Sequence, residues 1–137
     1  MTRLVLLDNE AVQALASPQH PKHQRVLAYM EAVERRKRRA AAISLVVPTA
    51  VRVEAGWDRT SPQWAFLNRL RTIDNSLDAA QANTAAAIHD RAQVSVADAH
   101  VGATVQSTLD ADITVIASDP ADIRRVAGDR PVTVVAI

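Results

Sequence analysis

A three-layer α/β/α sandwich around a central, mostly parallel sheet is the fold class that this sequence predicts. Three observations lead there. One short, wholly apolar run (Leu4 to Leu7) and two largely apolar ones (Ile43 to Val47, Ile113 to Ala117) read as strands covered on both faces. They alternate with segments of helical periodicity, an order that gives parallel βαβ units with right-handed crossovers. The 137 residues, 48% of them apolar, suffice for one continuous core, so residues 1–137 are read as one domain.

Leu4-Val5-Leu6-Leu7 is the first strand, cut short by Asp8. A short helix from about Ala11 breaks at Pro18 and Pro21. From Lys22 to about Ala40, Val26, Met30 and Val33 recur at spacings of four and three, the pattern of an amphipathic helix with one buried stripe. Ile43 to Val47 forms the second strand. Pro48 is expected to open the next helix, where its missing N–H costs nothing. Pro62 starts a further helix through about Leu70, and Thr72-Ile73 reads as a brief strand. Leu77, Ala80, Thr84 and Ile88 mark one helical face, and Ala97, Val101, Val105 and Leu109 the next. The strands Ile113 to Ala117 and Val132 to Ile137 enclose a helix from Pro120 to about Ala127, which Gly128 terminates. No repeat, linker or low-complexity segment interrupts this order.

Composition narrows the chemistry. Cysteine is absent, which removes disulfides, thiolate zinc sites and cysteine nucleophiles and fits a reducing compartment. No apolar run approaches the roughly 20 residues needed to span a bilayer, so the expected setting is soluble and cytoplasmic. Net charge is +1, too small to imply polyanion binding by itself. Most of the positive charge is arginine, Lys22 and Lys37 being the only lysines, and arginine suits bidentate contact with phosphate or carboxylate. Tyr29, Trp57, Trp64 and Phe66 do not form the spaced pairs of a base-stacking sheet.

In open parallel sheets, ligands bind beyond the carboxyl ends of the strands where strand order reverses. The residues there are acidic. Asp8 follows the first strand, Asp119 follows Ile113–Ala117 with Ser118 between, Glu54 lies in the helix after the second strand, and Asp98 opens the helix feeding the Ile113 strand. Each has an ordinary explanation. Ser95-Val96-Ala97-Asp98 matches a capping box, and Asp119-Pro120-Ala121-Asp122 reads as an N-cap, a first-turn proline and an acidic third position. Such placement contributes about 0.3–1 kcal/mol through the helix dipole. Gathered within about 5 Å, however, each like-charge pair would cost on the order of a few kcal/mol, more than capping offsets. A hard cation such as Mg²⁺ or Mn²⁺ would offset it, and can activate water and bind a phosphate oxygen.

His20, His23, His89 and His100 lack paired ligand spacing and are read as surface or structural residues. The run Arg35-Arg36-Lys37-Arg38-Arg39 sits at an expected helix C-terminus, where cations are favoured anyway; contact with RNA phosphates is the sharper reading of the same run.

Taken together, Leu4-Val5-Leu6-Leu7-Asp8, Glu54, Asp98-Ala99-His100 and Ser118-Asp119-Pro120-Ala121-Asp122 resemble, in order and spacing and across essentially the whole chain, the PIN domain and specifically the VapC-type toxins of toxin–antitoxin pairs. The resemblance implies a Mg²⁺- or Mn²⁺-dependent endoribonuclease. Asp8, Glu54, Asp98 and Asp119 would hold the metal, with Asp122 an additional acid. It implies structured RNA of the tRNA or rRNA class as substrate, a cognate antitoxin as partner, and a homodimer. This chain departs from the pattern at Asn9 and Glu10, where the family often has small or hydroxyl residues, and at Ala117, where threonine is common; Ser118 can supply a hydroxyl instead. The alternative is the same fold without cleavage, binding RNA or an antitoxin. A phosphotransfer receiver fits poorly, because it needs a lysine after a late strand and both lysines precede residue 40.

Overall fold

The computed structural model describes residues 2–39 and 42–137. The strands are β1 (Thr2–Leu7), β2 (Ile43–Pro48), β3 (Ile73–Asn75), β4 (Ala111–Ala117) and β5 (Thr133–Ala136), hydrogen-bonded in the order β3-β2-β1-β4-β5. Every pairing is parallel, with Val5 beside Leu45 and Thr114 in the centre of the sheet. Among the described residues, seven α-helices connect them: α1 (Asn9–Ala16), α2 (His23–Arg38), α3 (Thr49–Ala55), α4 (Ala65–Asn68), α5 (Ala79–Ala92), α6 (Val96–Ser107) and α7 (Pro120–Ala127). Helices cover both faces of the sheet. Right-handed crossovers place α1 to α4 on one face, over β1, β2 and β3, and α5 to α7 on the other.

The central strands are apolar because both faces are covered: Leu6, Leu7, Val47 and Val115 are fully buried, joined in the core by Val12, Val26 and Met30 from the first two helices. A smaller cluster, Ala85, Ile88, Ala92, Val94, Ala99, Ala103 and Val126, joins α5, α6 and α7. Its closest approach is at Gly102, where an added Cβ would lie 2.6 Å from the Val126 carbonyl oxygen and 2.7 Å from its Cβ. Gly102→Ala gains about 1 kcal/mol of helix propensity, but forced overpacking costs about 1–3 kcal/mol. Because the nearest obstacle is backbone, urea unfolding is expected to show a net loss of stability.

Several elements differ from expectation. Pro48 ends β2 and occupies the N-cap position of α3, one residue before the helix begins; its φ of −64° and ψ of 136° are extended. Pro62 opens only a single 3₁₀ turn, Pro62–Trp64, before the four residues of α4. The buried face of α5 is Gln81, Ala85, Ile88 and Ala92, so Ala80 and Thr84 were placed one position off; Leu77 precedes the helix and is exposed. Leu109 likewise falls beyond α6 and is exposed, whereas Ala97, Val101 and Val105 enter the core. An alanine-rich helix such as α5 offers little contrast between faces, so packing decides its rotation. Ala40, the expected end of α2, lies outside the described residues. Among the described residues, no helix is long and apolar enough to cross a membrane.

Candidate functional site

Strand order reverses between β1 and β4, and Asp8 and Asp119 stand just beyond the carboxyl ends of those two strands. Helices α1, α6 and α7 all start at this edge of the sheet. Their positive dipole ends face the acidic residues, and Ser95 and Asp119 form the N-caps suggested by the sequence, with Asp8 adding a third. The Ala11 N–H donates to Asp8 Oδ1 at 2.8 Å, the Asp98 N–H to Ser95 Oγ at 3.1 Å, and the Asp122 N–H to Asp119 Oδ1 at 3.2 Å.

Capping does not exhaust the arrangement. Asp8 is almost wholly buried, and burial, acting first, pushes its carboxyl up to about 6 even though N–H donors from Ala11 and Ser118 favour the charged form. The charges of Asp98 and Glu10 push it the same way. Asp98 is also raised, first by burial and then by the charges of Asp122, Glu54 and Asp119, while Ser95 pulls it down. Asp98 therefore feels every other acid of the predicted set. The four segments that carry them lie far apart in sequence and meet at one edge of the sheet.

The expected tight pocket is not closed. Among the described residues, no group of three or more histidine, aspartate or glutamate side chains stands close enough to hold a metal ion. In kind, the donors fit a hard divalent cation: they are carboxylate oxygens, and within the described residues Asp8, Glu54, Asp98 and Asp119 make no ion pair. Asp8 is held in place by two backbone donors, whereas Glu54 and Asp119 are exposed. Asp122 is tied to Arg125 at 2.6 Å, and its charge acts on Asp98 ahead of those of Glu54 and Asp119.

Two supporting groups escaped the sequence reading. The Ser118 backbone N–H donates to Asp8 Oδ2 at 3.1 Å, tying the end of β4 to the first acid; the expected contribution was the hydroxyl. His100 is fully buried, and its Nδ1 accepts from the Ala50 N–H at 3.2 Å, which leaves the proton on Nε2 and joins α6 to the start of α3. Burial holds its pKa below the usual histidine range, so the ring is neutral. It thereby sets the helix bearing Asp98 against the helix bearing Glu54. The faint signal was position, two residues after Asp98 on an apolar helix. The other histidines are structural as expected: His20 pairs with Glu10 at 3.0 Å, His23 contacts the Ala14 carbonyl and His89 the Val94 carbonyl.

Glu10, one of the departures, is turned to His20 and also to Lys22 at 3.6 Å. Behind α3, Arg52 and Arg59 both bind Asp74 and lie over the ring of Trp57, which stacks on Trp64 with centroids 6.1 Å apart. Although burial alone would raise it, Asp74 is held below the usual carboxylate range by the two arginines. This network braces α3 against β3. In comparisons with known proteins, no family model and no curated protein matches the chain.

Proposed function

We propose that the protein is a Mg²⁺- or Mn²⁺-dependent endoribonuclease of the PIN type, the toxin of a toxin–antitoxin pair acting on structured RNA of the tRNA or rRNA class in the cytoplasm. One observation carries the reading: carboxylates from four distant segments face one another electrostatically at the switch point of a parallel sheet, with Asp98 coupled to all of them. Asp8, Glu54, Asp98 and Asp119 would hold the cation, with Asp122 beside them. When bound, the cation supplies an activated water and a contact to the phosphate oxygen.

The chain's own groups perform the positioning. Asp8, fixed by the Ala11 and Ser118 N–H groups, is the rigid member of the set. Asp98 is oriented by the α6 cap, and Glu54 is referenced to it through His100 and Ala50. The helix termini around the rim limit the repulsion among the acids until they are neutralised.

A homodimer belongs to the same proposal. Val53, Leu77 and Val96, all exposed, line an apolar pocket of 450 Å³ with Glu54 at its border, the kind of surface that marks a contact with another chain. The cognate antitoxin is proposed on the family resemblance.

The test is cleavage of a structured RNA by the purified protein with Mg²⁺ or Mn²⁺, with a chelator, and with Asp98→Asn. Cutting is expected in the first condition alone; equal cutting in all three would refute the proposal. The second reading, an RNA- or antitoxin-binding module without cleavage, is favoured by the open spacing of the acids. It predicts no metal-dependent rise in melting temperature, whereas the nuclease reading predicts one.

A further inference from the structure

The face of the sheet carrying α1 to α4 is not evenly covered. Helices there follow β1 and β2 toward β3, so β5 and the first half of β4 receive none of them. The result is a groove of 680 Å³ beside α2, lined by Tyr29 and Val33 from that helix, Thr114 and Ile116 from β4, and Thr133 and Val135 from β5. Among the described residues, α2 is the only helix lining it. Adjacent strands are about 4.8 Å apart and a helix is about 10 Å across, so an opening over two strands has the width of one further helix.

The charge at its border is one-sided. Arg3 and Arg36 line the groove, and Arg3 stands opposite Asp112 in the β1–β4 register, so those two charges offset each other. Arg35, Arg36, Arg38 and Arg39 are exposed at the end of α2, and among the described residues none of them makes an ion pair; only Lys37 of the run is paired, with Glu34 at 3.4 Å. This end of α2 leads into β2 and therefore lies at the amino edge of the sheet, opposite the acidic rim. The 16 residues of α2 span about 24 Å.

We propose that this groove docks an amphipathic, acidic helix of another protein, whose apolar stripe covers β4 and β5 while its carboxylates meet the α2 arginines. The inference goes beyond the nuclease reading and does not depend on it. Apolar lining and an unneutralised cationic rim are both used by such a helix, whereas RNA would use only the rim. A second copy seated by two-fold symmetry would set one arginine cluster against the other, and like charges across an interface disfavour it.

The test is selection from a random library of peptides of about 16 residues, long enough to match α2 in length, on the purified chain. Recovered peptides are expected to be rich in Asp and Glu, with apolar residues at i, i+3, i+4 and i+7. Their affinity by fluorescence anisotropy should weaken about tenfold on Thr133→Trp, which fills the groove, and on the combined Arg36→Gln and Arg38→Gln, which removes charge at its border. Affinity should be unchanged on Asp98→Asn, so the result stands apart from cleavage. Circular dichroism checks that each variant folds. The proposal is overturned if no peptides are enriched over the Thr133→Trp background, or if those recovered lack the acidic helical pattern. Displacement of the peptides by an RNA hairpin whose own binding ignores Thr133→Trp would overturn it too, as would a dimer in sedimentation that Thr133→Trp dissociates.

Discussion

Asp98→Asn is expected to lower metal-dependent RNA cleavage by about 1,000-fold, the scale of losing one electrostatic contact to a transition state, and at the same time to raise the melting temperature of the metal-free protein. The two effects share one cause. The Asp98 carboxyl is raised first by burial and then by the charges of Asp122, Glu54 and Asp119, so removing its charge relieves both the desolvation and the repulsion at the rim while removing the central oxygen donor. Asparagine keeps the backbone N–H that donates to Ser95 Oγ, so the α6 cap survives. Single-turnover cleavage and thermal melting with a chelator check the pair of effects. A variant that loses activity and stability together would mark Asp98 as a structural residue.

The second large effect is the pH dependence contributed by Asp8. Its carboxyl is raised from 3.8 to about 6 in the folded protein, so the folded state holds the proton more tightly than the unfolded chain. The stabilisation from that proton is fully present below pH 3.8, declines as pH rises toward 6 and is gone above it; the interval corresponds to about 3 kcal/mol. His100 acts in the opposite direction. Its lowered pKa means that acid favours the unfolded chain, in which the ring can protonate. The informative measurement is therefore the difference between wild type and Asp8→Asn in urea unfolding with a chelator, from pH 4 to 7.5. Wild type should lose stability relative to the variant as pH rises through this window. The variant pays a constant cost of about 1–3 kcal/mol, because its amide cannot accept from both Ala11 and Ser118. A flat difference curve would mean that Asp8 is not held in the environment described.

The same rim explains how caps and a candidate site coincide. Asp8 and Asp119 cap α1 and α7, Asp98 sits in the first turn of α6, and in a parallel sheet helices that start at the carboxyl edge bring these positions together. Local stabilisation by helix dipoles makes it cheap to collect negative charge there, and the collected charge is what a hard cation would neutralise.

The strands, the helix order and the acidic residues at strand ends were legible in the sequence because each depends on short-range pattern. A short, largely apolar, β-branched run such as Ile113–Ala117 reads as a strand covered on both faces, and a Ser95 or Asp119 three residues before an acid signals a helix start. What tertiary structure alone decided is everything that depends on distance between segments: the rotation of α5, the support of Asp8 by the Ser118 backbone, the placement of buried His100 between α3 and α6, the separation of the acids, and the position of the arginine run opposite them with an uncovered groove at its side. The physical reason is that pattern constrains which face of an element is apolar, whereas the approach of two faces is set by packing across the whole core.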